Sequence, residues 1–265
     1  MATRDLERAR LAYEMGDTEE SRRAHLVHHK QNEKHSAGGD FIKSFTYGGL
    51  DGILTTFSIV AGSIGSSLGV AVVVILGLSN VISDGLAMAF GDYLSTKSEQ
   101  EYQKSERARE TWEVENNPEG EMIEMEELYK AKGMSDEDAR AMTQILSRNK
   151  EAWVNVMMVE ELGIMEENES PVKNGLVTFF SFVFFGIFPL IPFLIALAFD
   201  NPTPHTVFWF ALTVTGVILF VLGAVKTKVT GAHPLKSGLE TLVIGGIAAG
   251  SAYLIGFLLE PLVNN

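Results

Sequence analysis

The first long uncharged stretch occupies residues 52–83, GILTTFSIVAGSIGSSLGVAVVVILGLSNVIS. It is too long for a single membrane-spanning helix, which needs roughly 20 mostly apolar residues. The segment at residues 62–69 divides it, because clustered glycines and serines favour a tight turn. The stretch therefore predicts two helices, the first from near Phe45 to the turn and the second from about Val70 through Tyr93.

Three further uncharged stretches, residues 174–199, 201–225 and 241–259, are each long enough for one spanning helix. The sequence thus predicts an all-α integral membrane protein with five transmembrane helices. Hydrophobic residues make up 46% of the 265 residues although the formal charge is −13, so the apolar residues are concentrated in these stretches. The lack of cysteine excludes disulfide scaffolds and thiolate metal sites, and the lack of a basic run argues against nucleic-acid binding.

The positions of Lys and Arg predict the orientation. They are missing from the turn between helices 1 and 2, from residues 200–204 and from the C-terminal tail. They occur in the N-terminal segment, in residues 96–170 and in the loop before helix 5. The positive-inside rule places these three regions in the cytoplasm and the C-terminus in the lumen.

Four regions follow from this reading: an N-terminal cytoplasmic segment (1–40), helices 1 and 2 (41–95), a cytoplasmic helical insert (96–170) and helices 3–5 (171–265). The insert holds 9 basic and 20 acidic residues, and we call it the acidic segment. Helix 2 is expected to continue into it as far as Asn116-Asn117-Pro118, followed by helices over about 120–132, from Ser135 and over about 151–162.

Carboxylates recur at helical spacing in the acidic segment. Glu110 and Glu113 form an i, i+3 pair, Glu121 and Glu124 form a second pair, and Met157 and Met158 precede Glu161 by one turn. Residues three or four apart share a helix face, so these helices can present paired oxygen and thioether groups to one centre. The alternative is a solvated acidic surface with both methionines in a small core.

Polar residues also lie inside the predicted membrane helices. Asp51 lies in the first helix, and Asn80, Asp84 and Met88 form an i, i+4, i+8 stripe in the second. A carboxylate at mid-membrane costs roughly 2.5–3.5 kcal/mol, so it normally faces a partner or a polar pathway. These residues fit a cation path, or else aspartates that are buried against a hydroxyl or amide partner and have no role in transport.

Several motifs at consistent spacing resemble the vacuolar iron transporter family over about residues 40–262. They are Asp51-Gly52, Met88 followed by Gly91-Asp92-Tyr93-Leu94, Ala152-Trp153 followed by Met157-Met158 and Glu161-Leu162-Gly163, Gly186-Ile187-Phe188-Pro189 and Gly245-Gly246-Ile247. This resemblance implies a dimeric five-helix transporter in the vacuolar membrane that exchanges cytosolic Fe²⁺ for protons. It implies a metal-binding role for the glutamates and methionines above, with Zn²⁺, Mn²⁺ and Co²⁺ as other possible ligands, and a metal path through Asp51 and Met88.

Two positions depart from the family pattern. The family often has glutamate where this chain has Asn80, and proline where it has Thr56. The first change removes a titratable group, for which Asp84 is the expected substitute, and the second removes a helix break.

Two other classes of protein are compatible with parts of the sequence. A metal-sensing membrane protein would bind metal or a partner through the acidic segment without transport. A di-iron oxidase would use Glu-x-x-His pairs, but there is no histidine between His35 and His205, so no enzymatic activity or catalytic cofactor is expected. His25, His28 and His29 have helical spacing suited to metal, with His35 nearby, but the favoured interpretation of this segment is a solvated helix near the membrane.

Overall fold

The computed structural model describes residues 11–13, 15–26, 39–165, 169–199, 203–227 and 233–263, and in these the regular structure is helical. The helices are α1 (Thr18–Leu26), α2 (Gly39–Gly65), α3 (Val70–Asn116), α4 (Pro118–Ala131), α5 (Asp136–Leu146), α6 (Lys150–Glu160), α7 (Pro171–Gly186), α8 (Ile191–Ala196), α9 (Pro204–Val225) and α10 (Pro234–Val263). His28, His29, His35 and the side chain of His25 lie outside the described part, so the proposal about these histidines stays a prediction.

The division of residues 52–83 into two helices is confirmed. α2 ends at Gly65 and α3 begins at Val70. Between them Ser67 has a φ of 59°, in the left-handed region that short polar turns tolerate. α2 begins at Gly39, earlier than the expected start near Phe45.

The continuation of the second helix as far as Asn116 is also confirmed. α3 has 47 residues, which at 1.5 Å per residue gives a length of about 70 Å. A bilayer core is only about 30 Å thick, so about half of the helix extends beyond it. Proline at position 118 follows the end of α3 and starts α4, with the side chain of Asn117 accepting from the Gly120 N–H.

The third predicted transmembrane helix, over the uncharged stretch 174–199, is not one regular helix, in contrast to the prediction. α7 ends at Gly186, a 3₁₀ turn covers Phe188–Leu190, and α8 completes the span. Pro189 and Pro192 have no N–H to donate to the preceding turn, which explains the interruption. The combined segment Pro171–Ala196 is still long and apolar enough to cross a membrane.

Among the described helices, four candidate membrane spans meet a length and hydropathy criterion: the first half of α3, α7 with α8, α9 and α10. Between 17% and 39% of each apolar window is buried within the chain, so most of its surface faces outward, as lipid contact requires. The chain is therefore a multi-pass membrane protein. α2 falls outside this group because Asp51, several hydroxyls and glycines lower its hydropathy.

Close helix packing holds α2 against α7 on either side of Asp51. A Cβ atom added at Gly52 would lie 2.3 Å from the Phe182 carbonyl oxygen, and one at Gly48 would lie 2.6 Å from the Thr178 carbonyl oxygen. Only glycine allows the two backbones to approach this closely. α2 also packs along α10, and α3 packs along the other side of α7.

The acidic segment has its own small apolar core, formed by the end of α3 with α4, α5 and α6. Its buried members are Val114, Met125, Tyr129, Ala139, Trp153, Val154, Met157 and Met158. Ser135 caps α5 by accepting from the Asp138 N–H at 3.1 Å, as its sequence position predicts. Salt bridges from Lys132 to Glu160 and from Lys150 to Glu115 tie α6 to its neighbours.

Candidate metal centre

Three carboxylates from three helices meet at one point in the acidic segment. Glu110 of α3, Glu121 of α4 and Glu161 at the end of α6 each have an oxygen within 4.8 Å of the others. Oxygens at this spacing can coordinate one divalent cation. The three side chains, which helical spacing places on faces that could share one centre, therefore do converge in the structure.

Glu110 is the most deeply buried member, with 1% of its surface exposed. Its Oε1 lies 3.3 Å from Nη2 of Arg109, whereas no described residue donates a hydrogen bond to its buried Oε2. Burial, followed by the charge of Glu161, raises the pKa of Glu110 to about 7 against the opposing effect of Arg109. A cation at this point would satisfy the unpartnered oxygen and the unfavourable charge together.

Glu121 and Glu161 experience the same environment. Glu121 is 4% exposed, and burial followed by the charges of Glu124 and Glu110 raises its pKa to about 7. Burial and then Glu124 also raise the pKa of Glu161. Glu161 is the exposed member, so the cluster opens to solvent on its side.

Glu113 and Glu124, the remaining predicted carboxylate ligands, lie near the three central carboxylates but do not converge with them. Both are close enough to Glu121 to interact with its charge. Glu113 is held by Arg109 at 3.3 Å, so it forms an ion pair in this structure. The structure thus brings the five predicted glutamates into one electrostatic cluster.

Sequence reasoning missed the role of Arg109. Its guanidinium contacts Glu106 at 2.8 Å, Glu110 at 3.3 Å and Glu113 at 3.3 Å. The spacings i, i+3 and i, i+4 to Glu106 and Glu113 were visible in the sequence and predict such pairs. The positive charge of Arg109 partly neutralises the cluster, and it repels a metal ion that approaches the same carboxylates.

Met157 and Met158 lie in the apolar core beside the cluster, each 1% exposed. Met157 is one turn before Glu161, whose backbone N–H donates to the Met157 carbonyl. The placement agrees with the core alternative considered for these residues, and it also puts thioether groups on the helix that ends at the carboxylates.

A second group of polar residues lies in the helices α2 and α3. Asp51 and Asp84 are close enough for their carboxylates to interact electrostatically. Asn80, one turn before Asp84, has a buried amide nitrogen without a hydrogen-bond acceptor in the described chain, and Met88 lies half-buried one turn after Asp84. Asp51 of α2 and Asp84 of α3 are therefore neighbours, and Asn80 and Met88 lie one turn to either side of Asp84 on α3.

Thr56, where the family often has proline, is fully buried. Its Oγ1 has no hydrogen-bond partner among the described residues, and it packs against Gly186 at the end of α7. Since a Cβ added to Gly186 would lie 3.1 Å from this oxygen, the hydroxyl fills the space where α2 meets the interrupted third span.

These features define a class of protein: a multi-pass helical membrane protein with a buried carboxylate cluster on a helix that extends beyond the bilayer. Sequence comparison then gives the family. A profile described as the VIT family matches residues 42–257, and the chain belongs to this family.

Curated relatives agree with this assignment. The chain is 40% identical to the vacuolar iron transporter of Toxoplasma gondii, over 98% of this chain and 90% of that protein. It is 35% identical to the vacuolar iron transporter of Plasmodium falciparum, over 95% of both chains. It is 30% identical to vacuolar iron transporter 1 of Arabidopsis thaliana, over 89% of this chain and 92% of the relative.

Proposed function

We propose that the protein is a secondary transporter that moves Fe²⁺ from the cytosol into an acidic vacuole in exchange for protons. The observation that carries the proposal is the arrangement along α3. One continuous helix bears Glu110, the most deeply buried member of the carboxylate cluster, together with the polar residue Asp84 and Met88 of the apolar half. Family membership supports iron as the transported ion.

The carboxylate cluster supplies the chemistry for capture. Glu110, Glu121 and Glu161 provide negative charge and oxygen ligands for a divalent ion. The adjacent thioethers of Met157 and Met158 are soft ligands, which favour later transition metals over Mg²⁺ and Ca²⁺. In this proposal Fe²⁺ is the substrate, and other divalent transition metals compete for the same groups.

The facing aspartates supply the chemistry for exchange. A carboxylate must lose its proton to bind a metal ion, so metal and proton compete for Asp51. Fe²⁺ arriving from a neutral cytosol displaces protons, and protons from an acidic lumen displace Fe²⁺. Asp84 takes the place of the glutamate that this chain lacks at Asn80.

We further propose that α2 is a fifth span and that the transporter is a dimer. α2 packs along both α7 and α10, which are themselves candidate spans. Gly246 and Gly250 of α10 have nothing within 4 Å of an added Cβ, so this small-residue face is available for a second copy of the chain. The distribution of basic residues supports a cytoplasmic acidic segment and a lumenal C-terminus.

Uptake of Fe²⁺ into sealed proteoliposomes with an acidic lumen tests the proposal. Asp51→Asn, which keeps the side-chain size and removes the titrating charge, should abolish proton-driven uptake but leave metal binding by the acidic segment intact. Asp51→Glu should retain more uptake than Asp51→Asn. Asp136→Asn is the matched control, since Asp136 is exposed on α5, and it should transport at the wild-type rate.

The same assay separates a transporter from a metal sensor. A sensor would bind Fe²⁺ with wild-type affinity and show no uptake at any lumenal pH. Accumulation of Fe²⁺ against its gradient by the Asp51→Asn variant would make Asp51 structural, and the exchange role would then fall to Asp84.

A further inference from the structure

A polar cavity of about 440 Å³ lies between α2, α3 and α7, outside the carboxylate cluster. It is lined by residues of all three helices and of the chain just before α7. The lining residues of interest are Lys43, Met88, Asp92, Glu99, Glu169 and Asn174.

Asn174 provides the strongest sign that this cavity receives a ligand. The side chain is 2% exposed and lines the cavity. Its amide nitrogen donates to Thr96 Oγ1 at 3.3 Å and to the Glu169 carboxylate, which can only accept. The orientation of the amide is therefore fixed, and its buried Oδ1 has no donor among the residues that the structure describes. A buried acceptor left in this state is unfavourable unless a donor or cation reaches it.

Neighbouring groups hold two acidic residues of the cavity, Asp92 and Glu169, in place. The Thr178 hydroxyl donates to Asp92, and Gln100 Nε2 donates to the Glu169 carbonyl at 2.6 Å. Asp92, Glu99 and Glu169 together with the ammonium of Lys43 leave two negative charges in excess. This excess matches one divalent cation, and the thioether of Met88 adds a soft ligand to the oxygens.

The cavity lies between the two metal-handling regions of the proposed transporter. Glu110 and Met88 are 22 residues apart on α3, a distance of about 33 Å along a helix. Asp92 and Glu99 lie between them, and at 100° per residue all four side chains project within about 40° of one another. The same face of α3 thus carries ligand groups from the carboxylate cluster to the membrane.

We propose that this cavity is a staging site for a hydrated divalent transition-metal ion, held by the Asn174 oxygen and, directly or through its water ligands, by the carboxylates of Asp92, Glu99 and Glu169. An ion released from the carboxylate cluster would be held here, beside Met88, before it moves on to Asp51. The inference rests on the proposed transport function, although binding at the cavity can be measured without flux.

Equilibrium binding of Co²⁺ to the detergent-solubilised full-length protein tests the staging site. The background variant removes the three central carboxylates of the cluster and the membrane aspartate by Glu110→Gln, Glu121→Gln, Glu161→Gln and Asp51→Asn. This background should retain one Co²⁺ per chain. Adding Asp92→Asn with Glu99→Gln should weaken that binding about tenfold or more.

The matched control is Glu101→Gln in the same background. Glu101 is exposed and paired with Lys97 at 3.7 Å, and it projects from the opposite face of α3, so its loss should leave Co²⁺ affinity unchanged. Glu99→Gln alone preserves the bond between Thr178 and Asp92, and it should still weaken binding by about threefold or more. Absence of Co²⁺ binding in the background, or equal affinity with and without Asp92→Asn/Glu99→Gln, would overturn the staging site.

Flux distinguishes this inference from the transport proposal. In the otherwise native protein, Asp92→Asn/Glu99→Gln should raise the KM for Fe²⁺ uptake while Glu101→Gln does not. If wild-type vesicles show no uptake but the background variant binds Co²⁺ at the cavity, the transport proposal fails and the cation site stands. If wild-type uptake is normal and the KM is unchanged in Asp92→Asn/Glu99→Gln, the staging role fails alone.

Discussion

Acidification should sharply weaken metal binding by the carboxylate cluster, because protons and the metal ion compete for the same oxygens. Glu110 and Glu121 each have a pKa of about 7 in the metal-free protein. Such a group is about 90% ionised at pH 8 and about 10% ionised at pH 6. Binding that needs both groups ionised is therefore weakened about tenfold for each, and the Kd should rise about a hundredfold from pH 8 to pH 6.

Calorimetry with Co²⁺ and the full-length protein measures both the affinity and the protons released. At pH 7 the two glutamates together hold about one proton, so each bound ion should release about one, rising to nearly two at pH 6. Titrations in buffers of different ionisation enthalpy give this number. A Kd that is the same at pH 6 and pH 8, with no proton release, would refute the assignment of these two glutamates as ligands.

The same pKa values determine the stability of the metal-free protein. A carboxyl whose pKa is raised on folding contributes stability below its unfolded value, near 4.5, and this contribution is lost as the pH rises through about 7. The acidic segment should therefore melt at a lower temperature at pH 8 than at pH 5.5, and bound Co²⁺ should reverse the loss at pH 8. A Tm that rises with pH in the absence of metal would contradict the buried, unpaired state of Glu110.

Three further predictions concern residues around the two regions. Arg109→Gln should lower the Kd for Co²⁺ at pH 8 by about threefold, because the guanidinium repels a divalent ion twice as strongly as a proton and solvent exposure screens this repulsion. Lys104→Gln is the control. An unchanged Kd in Arg109→Gln would show that Arg109 does not oppose metal binding. The double variant Met157→Leu/Met158→Leu conserves core volume, so it should lower the free energy of unfolding by less than about 1.5 kcal/mol per residue. It should nevertheless reduce the preference for Co²⁺ over Mg²⁺ in competition binding. Full retention of that preference would leave both methionines a purely structural role. Gly52→Ala places a Cβ 2.3 Å from the Phe182 carbonyl oxygen and should destabilise the protein by about 1–3 kcal/mol. Gly69→Ala is the control, because the added Cβ meets open space, and this variant should melt like the wild type. Equal melting temperatures of the two variants would refute the close contact of α2 with α7.

The sequence predicted the elements whose boundaries depend on local chemistry. The turn at residues 62–69, the long α3 and the Ser135 cap all follow from composition and spacing, and all are present. The break after Gly186 was missed because hydropathy alone does not register the missing N–H groups of Pro189 and Pro192.

The candidate metal centre was only partly predictable. Helical spacing placed Glu110 and Glu121 on faces that could converge, but it could not distinguish them from Glu113, which pairs with Arg109 instead. The distinction depends on burial and on contacts between helices that are distant in sequence. The cavity beside Asn174 depends on α2, α3 and α7 together, so no local pattern indicates it.

In the proposed exchange, Fe²⁺ and protons move in opposite directions through the same protein. The most direct measurement follows both ions at once in proteoliposomes, with a metal-sensitive dye and a pH-sensitive dye in an acidic lumen. We expect Fe²⁺ entry to be accompanied by proton exit, with both fluxes lost in Asp51→Asn and neither lost in Asp136→Asn. Fe²⁺ entry at the same rate with no change in lumenal pH would contradict proton exchange.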